Sequence, residues 1–142
     1  MRAYSFTNFY LSSIQQGIQP AHAIVEMFVK YKNHVQESKH LFDWATNHKT
    51  MICLNGGTSA DIRDLYFELI HVAEALQLPY SPFNEDEASL DGALTSVAII
   101  VPEKIYMEAA EMRDRDYDPT TSLLNPAETQ LAKILNRYSL AK

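Results

Sequence analysis

Few side chains in this sequence are spaced for chemistry. Gln19 and His22 stand three residues apart in Gln19-Pro20-Ala21-His22-Ala23, which places an amide and an imidazole on nearly the same face of a helix. Because Ala21, Ile24 and Val25 surround His22, it reads either as a catalytic group or as a buried histidine bonded to a loop carbonyl. Gln19 reads either as a site residue or as a helix cap. A second place is the run Glu85-Asp86-Glu87, with Asp91 close behind. Hard cations favour clustered carboxylates, but this spacing departs from the calcium-loop pattern, so a solvated acidic loop is the stronger reading. Asn55-Gly56-Gly57 follows an apolar run without either phosphate-loop pattern and reads as a tight strand exit. Cys53 is the single cysteine. It allows no intramolecular disulfide or cysteine metal cluster, and its setting among Met51, Ile52 and Leu54 suggests a buried strand thiol. The other histidines lack zinc spacing, so neither metal nor cofactor is expected.

The elements that must position these residues follow from periodicity. Residues 3–11 alternate polar and apolar β-formers, as a strand at the edge of a core would. After a polar connector at 12–19, Pro20 fits the first turn of a helix over about 20–32, with Ile24, Phe28 and Tyr31 on its apolar stripe. A second helix reads over about 34–46. Residues 49–55 read as a central strand buried on both faces. Thr58 or Ser59 caps the next helix with Asp61 reaching back, and that helix ends near 77, before Pro79. Residues 80–84 suit an edge strand because Pro82 interrupts them. Residues 94–101 form another strand, and a helix follows Pro102 to about 112. Asn125, Pro126 and Glu128 start a last helix over about 126–138, with Leu131, Ile134, Leu135 and Tyr138 on one stripe. The expected fold is α/β: a three-layer α/β/α sandwich around a four-stranded mixed sheet, plus a C-terminal helix. Residues 1–112 form the expected domain, and 113–142 a connector and amphipathic helix whose stripe is expected to meet a second subunit, making a homo-oligomer.

The chain of 142 residues, 46% hydrophobic and 21% charged, has the composition of one globular domain. No apolar run approaches the roughly 20 residues that span a bilayer, and no export signal is visible, so a cytoplasmic location without membrane partners is expected. The formal charge of −6 argues against non-specific nucleic-acid binding. The charge is uneven: residues 1–50 carry five Lys/Arg against three acids, and residues 51–142 seven against fifteen. Any polyanion would therefore approach the first half.

The order strand, two helices, strand, helix, strand, loop, strand, helix resembles the type 2 peptidyl-tRNA hydrolase fold. Gln19-Pro20-Ala21-His22-Ala23 is similar to that family's Ala-Gln-x-x-His-Ala stretch. Phe83-Asn84-Glu85-Asp86-Glu87 and Leu94-Thr95-Ser96-Val97-Ala98 resemble the Phe-x-Glu-Pro-Asp and Leu-Thr-Ala-x-Ala stretches of its bacterial branch. The likeness covers roughly residues 3–110. It implies hydrolysis of the ester between a peptide and the 3′ end of tRNA, with tRNA or a small nucleotide as ligand. Such acyl transfer needs a base, donors for the oxyanion and groups that hold phosphate. The resemblance assigns Gln19 to the water or the substrate carbonyl, Thr95 to a hydrogen bond from the neighbouring strand, His22 to the same helical face, and one of Glu85, Asp86 and Glu87 to the acidic role. Where the family carries a Lys-Gly-Lys loop, this chain has Ser12-Ser13-Ile14-Gln15-Gln16, and the family's Asp-Ala-Gly-x-Thr segment is absent. A non-catalytic binding module on the same scaffold, for a nucleotide or a protein, is the alternative expectation.

Overall fold

The computed structural model describes residues 1–85 and 92–141. Strands β1 (Arg2–Asn8), β2 (Met51–Gly57), β3 (Tyr80–Asn84) and β4 (Leu94–Val101) form one sheet of order β2-β1-β4-β3. β1 runs parallel to β2 and antiparallel to β4, which is antiparallel to β3. The helices are α1 (Gln15–Lys30), α2 (Val35–Asp43), α3 (Ser59–Leu76), α4 (Glu103–Glu111) and α5 (Pro126–Asn136). A π-helical turn at Trp44–His48 extends α2, and a short 3₁₀ turn at Pro119–Thr121 precedes α5. The α/β class and the four-stranded mixed sheet agree with expectation. Among the described residues, no helix is long and apolar enough to cross a membrane.

The two faces of the sheet differ in size and polarity. Thr7, Ser96 and Phe83 are register partners across β1, β4 and β3, so they share one face. Phe83 stacks on His22 of α1, which makes this the α1 side. Around its centre this face carries Ala3, Ser5, Ala98 and Ser81, which are small and buried, and they let α1 lower Ala23 and Met27 onto the strands without a gap. Residues alternate along a strand, so Phe6 points the other way. It meets the Tyr138 ring edge-on at 5.1 Å, on the side that α3, α4 and α5 cover.

Two expectations about the strands need correction. β1 lies inside the sheet rather than at an edge, with Ala3 to Thr7 all buried; its polar alternates are Ser5 and Thr7, hydroxyls small enough to sit beneath a helix. β2 is an outer strand rather than a central one, and Met51, Ile52 and Cys53 are only half-buried. Its outer edge pairs instead with the end of the chain: Asn55 N–H donates to Ser139 O at 2.8 Å, and Ala141 N–H to Cys53 O at 2.9 Å.

The C-terminal helix is also placed differently. The stripe expected to face a second subunit is buried within the chain, with Leu131 and Ile134 fully enclosed and Leu135 3% exposed, because α5 packs on α3 and α4. Two carboxylates fasten it. Glu128 closes the capping box with Asn125 and pairs with Lys104 of α4. Glu68 of α3 accepts both arms of Arg137 at 2.6 Å and the Gln130 amide at 2.5 Å. Burial would raise the Glu128 carboxyl, but hydrogen bonds from Lys104 and the Asn125 N–H, with the Lys104 charge, hold it below the usual range. The Arg137 hydrogen bonds do the same for Glu68 against a smaller burial effect.

Two outcomes follow from this packing. Leu131→Ala should cost roughly 2–5 kcal/mol in urea denaturation, the scale for emptying a fully buried site. Both glutamates are depressed from the ordinary 4.5, so their stabilisation is complete above that value and lost as pH falls through the folded values. Urea midpoints of the Glu68→Gln/Glu128→Gln double variant between about pH 3 and 6 should slope less than those of the parent protein.

Candidate functional site

The site is assembled by an early helix start that the charge pattern conceals. Ser12 Oγ accepts from the Gln15 N–H at 3.3 Å, and the Ser12 N–H donates to Gln15 Oε1 at 3.4 Å. This reciprocal pair closes the turn just ahead of α1, which begins at Gln15, so most of the expected polar connector at 12–19 is helix. Pro20 lies inside α1 rather than opening it, where it withholds the N–H that the Gln16 carbonyl would otherwise take. Gln19 is therefore not a cap. It sits one turn inside the helix, 4% exposed, on the side that meets the sheet.

From there Gln19 Nε2 donates to Glu85 Oε1 at 2.5 Å. Glu85 follows β3 directly and is itself anchored, its N–H donating to Ala93 O at 3.0 Å. His22, one turn further along α1, is exposed and lies flat on Phe83, with ring centroids 4.5 Å apart and planes 12° apart. The buried reading of His22 does not hold, since the ring is neither enclosed nor bonded to a loop carbonyl among the described residues. Thr95 is buried and donates its hydroxyl to Phe83 O at 3.3 Å. The register shift between β3 and β4 leaves it without a partner residue on β3. Gln19, His22, Glu85 and Thr95 are thus all tied to one corner, where β3 ends and β4 begins. Asp86 and Glu87, the other candidates for the acidic role, lie outside the described residues.

Some contributors are invisible in the sequence pattern. Phe83 serves as both the plate beneath His22 and the carbonyl that takes the Thr95 proton. Thr7 and Ser96 share a buried hydroxyl contact of 3.2 Å next to the corner. Asn8, at the end of β1, donates to Ser59 Oγ at 3.0 Å and joins the start of α3 to the same sheet end. A polar residue on either side of a strand terminus was the available signal, but side-chain type alone does not say which terminus it will meet.

Chemically, the corner offers a half-exposed carboxylate, Glu85, held by the Gln19 amide, with the Thr95 hydroxyl and the His22 imidazole both fixed on Phe83, two residues before it. Gln19 Oε1 is buried and receives no hydrogen bond among the described residues. The amide cannot profitably turn over, because Oε1 would then face the carboxylate oxygen. The loop leading into α1 carries no cation and presents Phe9, Tyr10 and Ile14 to solvent, with Ile18 exposed beside them in the first turn of the helix. No family model matches the chain, and no curated protein is significantly similar to it.

The stacked pair gives a direct check. In Phe83→Leu the carbon-bound ring protons of His22 should move downfield in proton–carbon spectra, because the aromatic face above which they lie is gone. His22→Ala should change stability by less than about 1 kcal/mol, the ordinary range for an exposed residue.

Proposed function

We propose that this corner is the catalytic end of an ester hydrolase of the type 2 peptidyl-tRNA hydrolase kind, acting on the bond between a peptide and the 3′ end of tRNA. The observation that carries the reading is the Gln19–Glu85 hydrogen bond: it joins, across 66 residues, the amide and one of the three carboxylates that the family likeness offers for the acidic role. Glu85 takes a proton from a water molecule as the water oxygen attacks the ester carbonyl. The carbon–oxygen bond to the ribose then breaks, and the 3′ oxygen leaves with that proton. Gln19 fixes one oxygen of Glu85, leaving the other for the water. Thr95 spends its proton on the Phe83 carbonyl, so its oxygen is left to accept from the water rather than to donate to the substrate.

A second reading, a binding module without catalysis, is favoured by one observation. The loop and first helical turn where a phosphate-holding cation is expected expose Phe9, Tyr10, Ile14 and Ile18 instead, a surface suited to an apolar partner.

Single-turnover release of peptide from peptidyl-tRNA separates the two. Under the enzyme reading, Glu85→Gln slows release roughly a hundred- to ten-thousandfold, and Gln19→Ala and Thr95→Ala roughly ten- to a thousandfold each. Salt dependence should be shallow, because few phosphates are neutralised. Release by the parent protein no faster than in buffer would leave the binding module.

A further inference from the structure

Three arginines gather away from that corner. A cavity of about 560 Å³ opens between β1, β2 and the two C-terminal helices, within the size range of small-molecule sites. Tyr4, Ile52 and Leu54 of β1 and β2 form its floor, and Tyr106 of α4 forms one wall. Arg2, Arg113 and Arg137 all line it. They are three of the chain's five arginines, and among the described residues no carboxylate lines the cavity with them.

The three arginines are not equivalent. Arg137 is neutralised by the two hydrogen bonds from its guanidinium to Glu68. Arg2 lies over the Tyr106 ring, 4.1 Å from its centroid, a contact that orients the guanidinium but leaves its charge uncompensated. Arg113 spends only Nε, donating to Asn136 Oδ1 at 2.9 Å, while the Asn136 amide nitrogen donates to Ala109 O at 2.8 Å. That relay holds the guanidinium through one edge and leaves its two terminal nitrogens available. Among the described residues, neither Arg2 nor Arg113 has a carboxylate within ion-pair distance. Two uncompensated, oriented forks therefore stand over an apolar and aromatic floor.

We propose that this cavity is a binding site for a small organic anion: a carboxylate or phosphate that the arginines take as acceptor, carried on a flat apolar body that covers Ile52 and Leu54. Guanidinium groups match both oxyanions through paired N–H bonds. The site is independent of the proposed ester hydrolase. It is built on the opposite face of the sheet from His22 and Phe83, and at the other end of β1: Arg2 pairs with Val101, whereas Thr7 pairs with Ser96 beside the corner.

The test is calorimetric titration of the full chain with adenosine monophosphate and with phenylacetate, beside their uncharged counterparts adenosine and phenylacetamide. At least one anion should bind, and at least tenfold more tightly than its neutral counterpart. Which anion binds decides between phosphate and carboxylate as the recognised group. Arg2→Gln and Arg113→Gln should each weaken that binding roughly tenfold or more, the scale for one charge-assisted hydrogen bond. Arg115→Gln, outside the cavity, should leave it unchanged, and thermal melts of all three variants show whether each remains folded. Asn136→Ala should weaken binding less than Arg113→Gln, because it frees the guanidinium without removing it. The proposal is overturned if neither anion binds at millimolar concentration, if the neutral counterparts bind equally well, or if folded Arg2→Gln and Arg113→Gln proteins keep full affinity.

Discussion

From Thr95 to Val101 the protein holds seven consecutive residues that are no more than 1% exposed. A strand so enclosed can satisfy its backbone N–H and C=O groups only against strands on both sides, and its side chains only against helices on both faces. Most of the architecture follows from that demand. β1 and β3 must flank β4, and the parallel β2 then extends the sheet beyond β1. Ser96 and Ala98 are small enough for α1 to lie directly over them, while Val97 and Ile99, on the other face, need the larger cover that α3 and the C-terminal helices provide. The candidate corner forms where β4 begins, because α1, β3 and β4 converge there.

Much of this layout was legible in the residues. Val97–Val101 has no polar alternate, Pro82 marks an outer strand, and Thr58 with Asp61 and Asn125 with Glu128 start their helices where the capping pattern puts them. Strand position was harder. Hydrophobicity suggested that Met51–Leu54 was central and Ala3–Leu11 peripheral, and the reverse holds. Periodicity reports how much of a strand is covered, and small hydroxyl residues such as Ser5 and Thr7 can be covered completely while looking polar. The destination of the last helix was hidden for a related reason. An amphipathic stripe shows that something packs on it, and only the three-dimensional position of Glu68 and Lys104 shows that the partner is the chain itself.

The candidate site was legible in part. Residue type points to Gln19 and to Glu85 as one of three carboxylates, but their hydrogen bond needs the early start of α1 behind the Ser12–Gln15 turn, which carries no acid to signal it. Phe83 went unrecognised because an aromatic residue at a strand end is ordinarily core. Its ring supports His22 and its carbonyl fixes Thr95, so one apolar residue organises two polar ones through different atoms. Such a role depends on backbone position, which side-chain type does not encode.

The two outer strands end the sheet by different means, and the consequence concerns aggregation. Residues 139–141 already occupy hydrogen-bonding positions along β2. On β3, Pro82 has no N–H to offer a fifth strand, and Lys30 lies over the Tyr80 ring at 3.7 Å and donates to the Tyr80 carbonyl at 3.3 Å. A charge and a proline at one margin and a borrowed strand at the other are devices that stop sheets from growing across molecules. The protein can therefore carry a buried, strongly β-forming segment such as Val97–Val101 at high concentration without templating fibrils, provided the tail stays docked. Loss of those three residues would bare the Asn55 N–H and Cys53 carbonyl and turn β2 into an adhesive margin.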